Sequence, residues 1–170
     1  SKGFPTGAIT GSLNMINSII KRFKPDVLVV AFDSKGKNFR HEIFPEYKAN
    51  RPPMQDELRL QFQPLKDVIN AWGIPQLCIE GVEADDSITT LAKRAAEAGY
   101  KVVISTSDKD MRQAVSEDIH ILDTKDATSS SAPYGPEGVF ERNGVMPDRI
   151  IDLLALMGDK ADNIPGVNGC

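Results

Sequence analysis

Cysteine and histidine are nearly absent, two of each in 170 residues. Cys78 lies in the apolar stretch Leu77 to Ile79 and Cys170 is the last residue, so neither a disulfide framework nor a metal-binding spacing can be built from them. A reduced, cytoplasmic setting is the expectation. Long hydrophobic runs are missing too. The longest, Val27 to Phe32, falls far short of the roughly 20 residues needed to cross a bilayer, and the N-terminus lacks the charged and apolar regions of a signal peptide. A soluble protein that does not engage membranes is expected. Nor is there an excess of positive charge: 20 basic against 24 acidic residues give −4, which argues against a generic nucleic-acid-coating protein.

What is present is unevenly placed. Between Ser34 and Arg51, five cations (Lys35, Lys37, Arg40, Lys48, Arg51) face two anions (Glu42, Glu46), so this stretch carries +3 and the remainder −7. Hydrophobic content of 41% over this length supports one substantial core and is too little for two ordinary domains. A start at Ser1 without Met and an end at Gly169-Cys170 in a turn-rich stretch both look cut.

Ile9, Leu13, Ile16, Ile20 and Phe23 recur at helical spacing up to Pro25, predicting a helix over 7–23. Val27 to Phe32 has the unbroken apolar pattern of a strand buried on both faces. From Ser34 to Gln55 periodicity vanishes and Pro45, Pro52 and Pro53 interrupt, predicting a long, poorly ordered loop or arch. Leu58, Phe62, Leu65, Ile69 and Trp72 resume a helix, with a kink or break expected at Gln61 to Gln63 from Pro64 and with Trp72 expected in the core. A strand at Gln76 to Ile79 and a helix at Ala84 to Ala98 follow, with Ile88, Leu91, Ala92 and Ala95 inward. Next come a buried strand at Lys101 to Ser105, a strand at Ile119 to Asp123, a solvated loop at Thr124 to Pro133, a short helix from Tyr134-Gly135-Pro136 and a helix at Asp148 to Met157. This alternation is that of an α/β fold, a mostly parallel sheet flanked by helices.

Eight carboxylates fall in four clusters at the ends of apolar segments or the starts of helices: Asp33; Glu83, Asp85 and Asp86; Asp108 and Asp110; Asp159 and Asp162. Each has a bland explanation. Asp85 and Asp86 suit a helix N-terminus, while the others suit loops and turns. Parallel strands, however, put their C-terminal ends on one edge, so the clusters after Phe32, Ile79 and Ser105 should converge there. Two carboxylates about 4 Å apart repel by roughly 4 kcal/mol at an effective dielectric near 20. Convergence therefore calls for cations, and oxygen-only donors suit Mg²⁺ or Mn²⁺. Phe39, Phe44 and Tyr47, interleaved with Arg40, Lys48 and Arg51, offer rings for bases and cations for phosphates, the combination that holds a single nucleic-acid strand. The bland alternative is a solvated charged loop. His41 suits a surface position and His120 a strand edge.

Taken together, Asp33 with Phe39-Arg40-His41-Glu42, Tyr47-Lys48-Ala49-Asn50-Arg51-Pro52-Pro53, Gly81-Val82-Glu83-Ala84-Asp85-Asp86, Ser105-Thr106-Ser107-Asp108-Lys109-Asp110 and Leu156-Met157-Gly158-Asp159-Lys160-Ala161-Asp162-Asn163-Ile164-Pro165-Gly166-Val167 closely resemble the 5′-nuclease domain of bacterial DNA polymerase I, of the flap endonuclease family. The resemblance covers essentially the whole chain. It implies a PIN-like core at 1–157, with a flexible basic arch at 34–55, and at 158–170 the opening of a helix-turn-helix element that grips duplex DNA, often with a monovalent cation such as K⁺. It implies a metal-dependent enzyme that hydrolyses phosphodiesters of 5′ flaps and RNA primers in DNA replication and repair, with a polymerase domain downstream in the parent chain. Glu83, Asp85 and Asp86 would serve the first of two ions with Asp108; Asp110, Asp159 and Asp162 would complete the second; Asp33 would act through bound water. Lys48 and Arg51 would steer the scissile phosphate, with Arg40, Phe44 and Tyr47 as further nucleic-acid contacts. The family also has a metal-binding Asp at the end of a central strand that would precede residue 1, so the sheet is expected either to leave a gap or to fill it, from residues upstream of Ser1 or from a neighbouring chain pairing with Val27 to Phe32 or Lys101 to Ser105. A non-catalytic DNA-binding homologue or an inactive core stays open as an alternative, and a phosphatase using Asp108-Lys109-Asp110 is more distant, since it leaves the arch without a role.

Overall fold

A computed structural model describes residues 3–124 and 132–169. Helix α1 (Gly7–Phe23) begins where Gln61 Oε1 accepts the Ala8 and Ile9 amide protons, and it stops at Lys24, whose left-handed backbone returns an N–H to Ile20 ahead of Pro25. Strand β1 (Val30–Ala31) pairs in parallel with β2 (Gln76–Leu77), and the two are linked by the short α2 (Phe39–Ile43) and the long α3 (Asp56–Ala71). Helix α4 (Ala84–Glu97) leads to β3 (Val102–Thr106), which pairs in parallel with β4 (Ile119–Asp123) from Val102↔Ile119 to Thr106↔Asp123. A 3₁₀ segment, Lys109–Ala114, separates them; α5 (Pro136–Asn143) and α6 (Ile150–Met157) follow.

Two apolar clusters hold these elements together. Ile16 of α1 packs with Leu65, Ile69 and Ile74, backed by Leu28, Val30 and Phe32 of the β1 segment. The larger cluster joins Ala92 of α4 and Ile104 of β3 to Met111, Ala114, Ile119, Ile121, Val139 and Ile150.

Among the described residues the strands form two separate parallel pairs, β1 with β2 and β3 with β4. Several sequence expectations are corrected. The β1 segment is not buried on both faces: Val27 is 62% exposed, and only Val30 and Ala31 are paired. Val103 of β3 is likewise exposed. Leu91 is exposed on α4, and Trp72, the C-capping residue of α3, is 45% exposed although its N–H still bonds the Val68 carbonyl in helical register. Pro64 is accommodated within a continuous α3 rather than breaking it.

The arch expectation is corrected as well. Residues 34–55 contain α2, capped by Asn38, whose side chain accepts the Arg40 N–H while the Asn38 N–H donates to His41 Nδ1 at 3.2 Å. Successive turns then run from Pro45 to Asn50. The segment has structure of its own and rests on the acidic clusters. Most of the Ser-rich stretch expected as a solvated loop, residues 125–131, lies outside the described residues.

Candidate active site

Residues that follow β1, β2 and β3 meet at one place: all eight carboxylates line one cleft of about 1370 Å³ together with Arg40, Phe44, Tyr47, Lys48 and Arg51. Asp33, just past β1, accepts the Ala84 N–H at 2.7 Å and so supports the start of α4 as well as facing the cleft. Asp108 caps the 3₁₀ segment by accepting the Asp110 N–H. Asp159 accepts the Ala161 N–H within a tight turn closed by a bridge between Asp159 and Ile164. Gly158 is required there: at φ +70 a Cβ would sit 2.3 Å from the Gly166 nitrogen.

The carboxylates divide into those matched by a cation and those facing one another. Arg40 clamps Asp86 with both nitrogens of its fork, at 2.6 and 2.8 Å, and this holds Asp86 below the ordinary carboxylate range. Lys48 Nζ donates to Glu83 Oε1 at 2.7 Å and stands 3.9 Å from Asp162; Arg51 pairs with Asp162, and Lys109 with Asp159. Burial works to raise Glu83, yet the hydrogen bonds from Lys48, Asn38 and Tyr47 hold it below its usual value.

Asp85 and Asp110 are different. Burial, reinforced by the charges of Asp108, Asp33 and Glu83, pushes Asp85 up to about 6. Burial and the neighbouring Asp108 and Asp159 also raise Asp110, whose Oδ1 is buried without a hydrogen-bond partner. The centre of the cleft therefore has an excess of negative charge, which Lys48 and Lys109 offset only in part. Among the described residues no three of these side chains are gathered into a ready ion cage, because the cations above draw the outer carboxylates toward themselves.

Tyr47 corrects one expectation. Its ring is 6% exposed, not available for stacking on a base, and its hydroxyl lies 3.1 Å from both Glu83 Oε2 and Asp162 Oδ2, which share its one proton. Burial pushes that phenol up to about 12. Phe39 keeps an exposed face and Phe44 is half-buried at the rim. His41 is not a free surface residue either; its ring meets Tyr47 edge-on and its Nδ1 bonds Asn38. Asn38, Lys109 and Asp123 reach the site without having been singled out in the sequence: Asn38 Nδ2 donates to Glu83 Oε1 at 2.6 Å, and Lys109 and Asp123 line the cleft. Only Asn38 carried a local signal, as a polar residue preceding a short helix.

The 5′-3′ exonuclease N-terminal resolvase-like domain family matches residues 1–144. DNA polymerase I of Pseudomonas aeruginosa is 53% identical over 169 residues, covering 99% of this chain and 18% of that protein. The 5′-3′ exonuclease of Aquifex aeolicus is 43% identical over 169 residues, covering 99% of this chain and 57% of that protein. Among solved structures, T5 5′-exonuclease with bound zinc superposes at a TM-score of 0.78 with 27% identity, over 98% of this chain and 63% of that one. The bacteriophage T5 flap endonuclease in a pseudo-enzyme–product complex with DNA and metal ions gives 0.77 with 28% identity, over 100% and 64%. The chain spans less than two thirds of each of these relatives.

Proposed function

We propose, because this chain belongs to the 5′-3′ exonuclease N-terminal resolvase-like family, that its parent protein is a metal-dependent, structure-specific 5′ nuclease acting on 5′ flaps and RNA primers during DNA replication and repair. The observation that carries this is the meeting of eight carboxylates, drawn from four separate segments, in one cleft roofed by Arg40, Lys48 and Arg51. The fit to divalent ions rests on the donors themselves. They are hard oxygens, with the buried Asp110 Oδ1 unpartnered and Asp85 facing other carboxylates, a chemistry that suits Mg²⁺ or Mn²⁺.

Glu83, Asp85 and Asp108 would hold one ion and Asp110, Asp159 and Asp162 a second, with Asp33 acting through water. Bound there, the ions would supply an activated water and neutralise charge developing on the phosphate. The chain's own cations do the rest. Lys48 and Arg51 sit on the cleft side of the arch, and a phosphodiester entering beneath them would meet their ammonium and guanidinium groups. Lys48 is charged for this purpose: burial works against its proton, but hydrogen bonding to Glu83 and Tyr47 prevails and holds its pKa above the ordinary value. The exposed face of Phe39 and the rim position of Phe44 provide apolar surface for an unpaired base.

The test is single-turnover cleavage of a 5′-flapped duplex by the full-length parent protein, in Mg²⁺ and in chelator. Lys48→Ala should slow cleavage at least about tenfold and reduce the salt slope of DNA affinity by roughly 1, as expected for one lost phosphate contact. Cleavage that persists in chelator, or an unchanged rate and slope in the variant, would overturn the assignment.

A further inference from the structure

We propose that Asp86 is the anchor of the arch, a positioning residue acting through Arg40, and not an ion ligand. This rests on the nuclease reading above for the meaning of the cleft. Asp85 and Asp86 are consecutive on α4, and consecutive helical residues point about 100° apart, so they do not face the same partner. Their surroundings differ accordingly. The charges acting on Asp85 are chiefly the carboxylates of Asp108, Asp33 and Glu83, from three other points of the cleft. Those acting on Asp86 are the cations of Arg40 and Lys48, from the arch.

Asp86 also has little left to offer an ion. Arg40 Nη1 reaches its Oδ2 at 2.6 Å and Nη2 its Oδ1 at 2.8 Å, a bidentate fork that uses both oxygens, and the Glu83 backbone N–H favours the same carboxylate. Bidentate Arg–carboxylate pairs fix orientation as well as position. Arg40 is the second residue of α2, and Asn38, which caps α2, donates to Glu83 at the start of α4. The N-termini of α2 and α4 are thus stitched together by two neighbouring side-chain contacts. With that seam closed, the chain from Phe44 onward is delivered to the place where Lys48 meets Glu83 and Arg51 meets Asp162. Arg40 is thereby committed to Asp86 and withdrawn from the phosphate contacts.

Two readouts on the intact chain separate an anchor from a ligand: Mn²⁺ titration calorimetry, and hydrogen exchange of the amides of residues 39–51 in chelator. Asp86→Asn should bind Mn²⁺ with unchanged stoichiometry and within threefold of wild-type affinity, while exchange in the arch accelerates at least tenfold. Arg40→Gln should produce the same acceleration, the double variant no more than either single one, and Asp86→Glu, which keeps the charge, should retain most of the protection. A tenfold or greater loss of Mn²⁺ affinity in Asp86→Asn with arch exchange unchanged would overturn the proposal. Wild-type protein that binds no Mn²⁺ would defeat the nuclease reading instead, and the exchange data would still decide for or against the anchor.

Discussion

Replacing Asp85 by Asn should stabilise the metal-free protein while removing its capacity for the ion. Burial among carboxylates pushes Asp85 from 3.8 up to about 6. At 1.36 kcal/mol per pKa unit this corresponds to about 3 kcal/mol against the ionised form in the folded state, and screening by water in the open cleft brings the expected effect to about 2 kcal/mol. The sign follows from the direction. A carboxyl whose folded pKa is raised costs stability in full above pH 6, where it is ionised in both states; the cost shrinks as pH falls from 6 toward 3.8 and is gone below. Thermal unfolding followed by circular dichroism in chelator should therefore show Asp85→Asn melting roughly 4–8 °C above wild type at pH 7.5 and level with it at pH 3.5. Added Mn²⁺ should reverse the order. At about a hundredfold excess over its dissociation constant it stabilises wild type by about 2.7 kcal/mol, and the variant should gain little. A variant no more stable than wild type at pH 7.5, or one with the same advantage at pH 3.5, would refute the electrostatic reasoning.

Two further outcomes test the frame around the cleft. Gly158→Ala should cost at least about 2 kcal/mol in chemical denaturation, because its Cβ would collide with the Gly166 nitrogen and the Ile164 carbonyl at a φ of +70. Ile121→Ala, at a position 1% exposed in the larger apolar cluster, should lower stability by about 2–5 kcal/mol without changing Mn²⁺ affinity.

Helices α1 and α4 and strand β4 were legible in the sequence because their signals are local: apolar spacing, a proline or glycine stop, a β-branched run. The gathering of the carboxylates followed from their places just past β1, β2 and β3. The arch was not legible for two reasons. Five residues of α2 are too few to show periodicity, and the partners that settle Tyr47, namely Glu83 and Asp162, lie 36 and 115 positions away. An aromatic among cations looks like a stacking platform until the distant carboxylates that bury its hydroxyl are in place. Trp72 failed in the opposite direction: its spacing from Ile69 suggested an inward face, but at the end of α3, still in helical register, it lies beyond the apolar cluster that Leu65 and Ile69 join and is 45% exposed.

The base of the arch is clasped by the turn near the other end of the described chain. The Lys48 N–H donates to the Asp162 carbonyl, Asn50 to that of Lys160, and Asn163 back to that of Glu46. This ties the order of assembly to the order of synthesis. A ribosome adding roughly 5–20 residues per second needs about 6–23 s to cover the 115 positions between Tyr47 and Asp162. During that interval the emerging polypeptide gains Glu83, the partner of Lys48, but has neither the Asp162 carboxylate that pairs with Arg51 nor the turn that holds the base of the arch. The carboxylate set of the cleft is therefore completed only when almost the last residues of this stretch leave the ribosome.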